Sequence, residues 1–120
     1  MDLSSLPSRP LTGREVAALD ESGTFVAVRP VERFEFEAVE ETLVVAVVLI
    51  TTQGVRGVAF DPERGWRVVH RADRDDIEEL ADVPESAIDD AQRALRAEIT
   101  DLERERGFGS RLVDAYETHS

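Results

Sequence analysis

The chain has 120 residues, in which 26 acidic side chains face 14 basic ones, for a net charge of −12. Every basic residue other than histidine is arginine, and neither lysine nor cysteine occurs, so disulfides, thiolate nucleophiles and thiolate metal centres are excluded. The length suits one domain, residues 1–120, able to bury a core without staples. The charge works against binding to nucleic acid or to anionic lipid.

Residues 1–10 read as an extended segment containing Pro and Ser. Met1-Asp2-Leu3-Ser4-Ser5 lacks the basic-then-apolar pattern of a leader, which makes the cytoplasm the expected location. A helix follows over 12–22. Thr12 is placed to cap it, Glu15 to complete a capping box, and Leu11 and Val16 to form a hydrophobic staple. Val16 and Leu19 point inward, and Gly23 stands just past the end.

Residues 24–71 read as an antiparallel meander of four to five strands. Thr24 to Arg29 form one strand, which Pro30 interrupts. Val31 to Val39 alternate Phe34, Phe36 and Ala38 with Glu35 and Glu37, a half-buried strand pattern, although Val31, Phe34 and Ala38 also fit a helix opened by Pro30. Glu40-Glu41-Thr42 then serves as a turn. Leu43-Val44-Val45-Ala46-Val47-Val48-Leu49-Ile50 is apolar throughout and mostly β-branched, far short of the roughly 20 residues of a membrane-spanning helix. A strand with one wet face alternates apolar and polar residues. This one does not, so both its faces must be covered. Val55–Phe60 and Trp66–His70 form a hairpin around Asp61-Pro62-Glu63-Arg64-Gly65, with Trp66 and Val68 on one face and Arg67 and Val69 on the other.

Residues 75–118 read as helical. Asp73, Asp75 and Asp76 crowd the start of a short segment holding Ile77 and Leu80. Pro84 opens a long helix to about Arg106, whose apolar stripe is Ile88, Ala91, Leu95, Ile99 and Leu102. Gly107 ends it, and Arg111 to Thr118 offer a last amphipathic piece. The fold class is therefore α+β, two layers, with the N-terminal and C-terminal helices packed on the sheet. The order of helix and antiparallel sheet is similar to that of cystatin-like and secretion-chaperone-like architectures. The composition resembles that of haloarchaeal cytoplasmic proteins, in acidity, in scarcity of Lys and Cys, and in an Ala/Val-rich core. Carboxylates stay hydrated in molar salt, where their repulsion is screened over about 3 Å.

No motif points to catalysis, and the expectation leans against an enzyme, with no catalytic residue, metal or cofactor assigned. His70 with Asp73, Asp75 and Asp76 matches no ligand spacing of a known metal motif. Paired carboxylates are too frequent here to mark an acid/base couple, which needs two distinct environments. Neither a Gly-x-Ser-x-Gly elbow nor a phosphate loop occurs.

Arginines carry more information. Arg56, Arg67 and Arg71 fall on the last two strands, with Arg64 and Arg74 close by, and an arginine-lined face holds carboxylates or phosphates bidentately. The competing explanation is ion pairing with neighbouring acids on a wet face.

Two function classes follow. The first is a non-catalytic interaction module that self-associates as a homodimer or meets another protein, with Val44, Val45, Val47, Val48 and Trp66 as interface residues. The second is an anionic-ligand domain or enzyme built on Arg56, Arg67 and Arg71. A transcription-associated regulator ranks third, because no basic stripe or recognition-helix arrangement is present.

Overall fold

The computed structural model describes residues 6–119. The first five residues of the expected extended segment lie outside the described residues. Residues 6–10 take no helix or strand and lead into a two-residue strand, β1 (Leu11–Thr12), and helix α1 (Gly13–Glu21). Strands β2 (Ala27–Phe36), β3 (Val39–Thr51), β4 (Gly54–Asp61) and β5 (Gly65–Asp73) follow. After a single 3-10 turn at Leu80–Asp82 come helices α2 (Glu85–Glu103) and α3 (Phe108–His119). The result is a five-stranded antiparallel sheet with one N-terminal and two C-terminal helices packed on it, an α+β fold.

β3 is the centre. β2 lies along one edge of it and β4 along the other, with β5 beyond β4. Both β1 and β2 pair with Leu43 and Val44, so β1 must occupy the edge that β4 leaves free beyond Ala46. The N-terminus of α1 forms as its residues dictate. Thr12 Oγ1 accepts from the Glu15 N–H at 3.2 Å, and the Glu15 carboxylate accepts from the Thr12 N–H at 2.9 Å.

The first long strand starts at Ala27 rather than Thr24, and residues 75–79, read as helical, form neither helix nor strand. Three further boundaries differ from the sequence pattern. β2 runs unbroken through Pro30. An edge strand tolerates a missing N–H on its outer side, and the cost shows as register shifts just after Pro30. The helical alternative for residues 31–39 is thereby excluded. Glu40-Glu41-Thr42 is not a turn: β3 already begins at Val39, because the two residues Glu37-Ala38 suffice to reverse the chain. Asp73 does not open a helix but ends β5. Apolar periodicity is silent on all three, since each lies where the strands are wet.

The faces of β3 can be assigned from pairing. Gly57 lies opposite Val48 on one side and His70 on the other, and a Cβ built on Gly57 would meet Leu95 of α2 at 3.3 Å. Helix α2 therefore covers the face of Val48, and its stripe of Ala91, Leu95, Ile99 and Leu102 is buried there. Phe60 is three residues from Gly57, an odd number, so it and its partner Trp66 point to the other face. The Trp66 ring meets Phe60 edge-on at 5.6 Å, and its indole N–H donates to the Arg9 carbonyl at 3.1 Å. Residues of the N-terminal segment thus lie over this second face. Arg9 in turn grips Glu15, which brings α1 to the same side.

α3 closes one end of the sheet. Arg111 pairs with Glu63 in the β4–β5 turn at 2.7 Å, and Gly109 lies against the Phe36 ring beside the β2–β3 turn. No helix among the described residues is long and apolar enough to cross a membrane.

Candidate functional site

Of the three arginines on the last two strands, the structure brings two together. Arg56 and Arg71 are register partners on β4 and β5. Arg56 Nη2 donates to Asp73 Oδ1 at 2.8 Å, and Arg71 Nε donates to the same oxygen at 2.9 Å. Arg56 is 8% exposed and also donates to the Val55 and Ala72 carbonyls. Gly54 makes room for it: a Cβ there would lie 2.8 Å from Arg56 Nη1 and 2.2 Å from the Ala72 oxygen, and its φ is +148°. The bond from Arg71, with the charges of Arg71 and Arg56, holds the Asp73 carboxyl below its ordinary value.

Arg67 is elsewhere. It pairs with Ala59, three residues from Arg56 along β4, which puts it on the opposite face from Arg71. Its own partner is Asp61 at 3.7 Å. The cause is a bulge: Gly57 pairs with His70 but Val58 with Val68, so Val69 is an extra residue. The phase of β5 shifts there, and simple alternation, which puts Arg67 and Arg71 on one face, fails across it. The pair that does form already shares the Asp73 carboxylate, which answers one of its two positive charges.

The apolar interface candidates are interior. Val44, Val45, Val47 and Val48 are at most 2% exposed, and Trp66 is 9% exposed against Phe60 and the N-terminal segment. The second face of β3 is closed within one chain. Val68 is the single exposed large hydrophobic among the described residues, and it stands on β5 at the sheet edge. His70 and Asp73 also lie three residues apart on β5, hence on opposite faces.

A different site emerges where β2 meets α3. Phe34 and Phe36 stack with centroids 6.1 Å apart, and Phe108 meets Phe34 edge-on, also at 6.1 Å. Phe108 is buried, while Phe34 and Phe36 are half-buried. Two open hollows adjoin the Phe36 ring. One, of about 410 Å³, lies over Phe34, Phe108 and the backbone of Gly107 and Gly109. The other, of about 570 Å³, lies against Ala38, Val113 and Ser110. A Cβ on Gly109 would come within 3.3 Å of Phe36, so glycine lets the ring sit on the first turn of α3. The alternation of Phe34 and Phe36 was the available signal. It marks one side of a strand and cannot show that α3 turns back to meet it.

The polar counterpart is a clamp at Arg9. Its guanidinium holds Glu15 through two bonds, at 2.7 and 2.8 Å, and lies 5.5 Å from the Tyr116 ring centroid. Arg9 Nε donates to the His119 carbonyl at 3.3 Å. The bonds from Arg9 hold the Glu15 carboxyl below its ordinary value, and the guanidinium is correspondingly raised.

A family model described as Domain of unknown function (DUF7964) matches residues 2–108 of the chain. No curated protein and no solved structure matches it.

Proposed function

We propose, from the premise that the chain belongs to the DUF7964 family, that it is a single non-catalytic interaction domain. Its working surface is the aromatic groove between the end of β2 and the start of α3. One observation carries this reading: Phe34 and Phe36 stay half-buried beside two open hollows that share the Phe36 ring, next to the buried Phe108. Apolar surface left open next to a shaped hollow is where partners bind. Selection of displayed peptides against the immobilised domain tests it, with the bound peptides then mapped by amide chemical shifts. Shifts concentrated on residues 34–38 and 107–113 are expected. Shifts concentrated on Arg56, Arg71 and Asp73 would instead favour the anionic-ligand reading, with Asp73 displaced by the ligand.

Self-association has no face of β3 left to use. The part of the sheet open to a homodimer is the edge of β5, where Val68 is exposed. Light scattering in about 2 M KCl decides it, and a monomeric mass at tens of micromolar ends that reading.

We also infer from the charge of −12 that the protein works in a salt-rich cytoplasm. Cooperative folding should then fail as KCl falls from molar to about 0.1 M, because carboxylate repulsion is less screened. An unchanged melting temperature by far-UV circular dichroism would leave only codon bias to explain the arginine-only composition.

A further inference from the structure

We propose that the aromatic groove takes a basic segment of a partner protein and seats an arginine side chain against Phe36. This rests on the reading of the groove as the working surface and adds the chemistry of its ligand. The supporting observation is the sign of the charge around it. The charged residues lining the two hollows are Glu103 at the end of α2, Glu105 just past it, Glu37 from the β2–β3 turn, and Asp114 from α3. All four are acidic. The chain has 14 arginines, yet none lines either hollow.

Several acids outside the groove are answered by arginine, as Glu15 is by Arg9, Asp73 by Arg56 and Arg71, and Glu63 by Arg111. Glu37, Glu103 and Asp114 form no ion pair among the described residues, and Glu105 reaches Arg111 only at 3.9 Å. Carboxylates close to half-buried aromatic rings that border an open hollow are a setting for a cation that is also flat or alkylated. Its charge meets the acids, and its face or methylenes meet the ring. A strongly hydrated inorganic cation would gain nothing from the rings.

The spread of the acids selects a chain segment over a small molecule. They are divided between two hollows that share one ring, so one guanidinium cannot meet all of them. Two cations a few residues apart on an extended segment can. A second copy of this chain is a poor occupant, because its own net charge of −12 repels the acidic rim.

The test uses the full chain, labelled with nitrogen-15, in about 1 M KCl to keep it folded while contact electrostatics survive. The probe is the capped peptide Gly-Arg-Gly-Ser-Arg-Gly, with three comparators. These are the same peptide with citrulline for arginine, the same with glutamate, and acetyl-arginine amide alone. The arginine peptide should shift Phe36, Ala38 and Gly109, and citrulline should weaken it by about tenfold, the scale of a desolvated cation–π contact. Phe36→Leu, which keeps an apolar side chain without a π face, should weaken the peptide by a similar factor. The triple change Glu37→Gln, Glu103→Gln, Asp114→Asn should weaken it further without altering the spectrum of the free protein.

Equal binding of the citrulline peptide in the groove would overturn the cationic specificity while leaving the groove as the working surface. Equal binding of acetyl-arginine amide would overturn the segment in favour of a small cation. Shifts absent from residues 34–38 and 107–113 with every peptide, selected ones included, would remove the groove itself.

Discussion

The two sides of β3 are equally dry but are closed by different means. On one side α2 supplies a repeat, Ala91, Leu95, Ile99 and Leu102, and the sheet answers with the small residues Gly57 and Ala59. On the other the cover is made of pieces. Leu6, Val16 and the Trp66 ring are buried there, and polar bonds hold them: Trp66 to the Arg9 carbonyl, Arg9 to Glu15, Glu15 to the Thr12 N–H. A long amphipathic helix finds its place by burial of a continuous stripe. A nine-residue helix and a strandless segment bury too little for that, so directional bonds must set their position. Loss of the periodic cover should therefore cost apolar free energy, and loss of the pieced cover should cost hydrogen bonds.

The sharpest way to break this comparison is a charge on each side. Val48→Glu faces α2, and Val47→Glu faces the N-terminal segment, and both positions are fully buried. Each should abolish cooperative unfolding, since a lone buried carboxylate costs several kcal/mol or forces its own protonation. A folded Val47→Glu protein with a normal denaturant midpoint would mean that the second side is open to water.

Leu95→Ala should come next, at about 3 kcal/mol by urea unfolding, because Leu95 is fully buried against Gly57 and the backbone around it is fixed by β pairing. Arg9→Ala should cost less, about 1–2 kcal/mol, as expected for charge-assisted bonds that are partly open to solvent. Equal costs would show that the clamp does more than pin a cover that packs by itself.

The clamp also has a pH signature. Arg9 holds the Glu15 carboxyl below its ordinary value by hydrogen bonding, against the opposing effect of burial. A carboxyl depressed in the folded state contributes stability that is complete above its unfolded value of about 4.3. That contribution is lost as pH falls through the lower folded value. The difference in denaturant midpoint between the native protein and Glu15→Gln should thus be constant above about pH 5, begin to narrow near the unfolded value of about 4.3, and go on narrowing as pH falls through the lower folded value. A difference that persists at pH 2 would assign the effect to packing of the glutamate stem.

The smallest expected effect is at the helix start. Thr12→Ala removes one half of the capping box and should cost about 1 kcal/mol. No change in midpoint would mean that Glu15, through Arg9 and the backbone N–H of residue 12, holds this end of α1 without the threonine hydroxyl.

Local chemistry made much of the molecule legible from its residues. The capping box of α1, the tight turn at Asp61 to Gly65 and the buried stripe of α2 each depend on side chains within one turn or one repeat of each other. The unbroken apolar run of β3 likewise implied two covered faces, and its residues are buried on both sides. What covers the second face was not legible, because no periodicity marks the N-terminal segment. Its position depends on Trp66 reaching Arg9 across 57 residues.

The bulge at Val69 was equally invisible, since one extra residue in a strand leaves composition and alternation almost unchanged. It nevertheless decides which arginines meet, joining Arg71 to Arg56 and sending Arg67 to Asp61. The aromatic groove belongs to the same class. Phe34 and Phe36 lie more than 70 residues from Phe108, and only the turn at Gly107, with its φ of +79°, folds α3 back to bring the three rings together. Short-range hydrogen bonds and burial periods are written in neighbouring residues. Register, bulges and helix return are settled by the packing of distant surfaces, and that packing exists only in the folded chain.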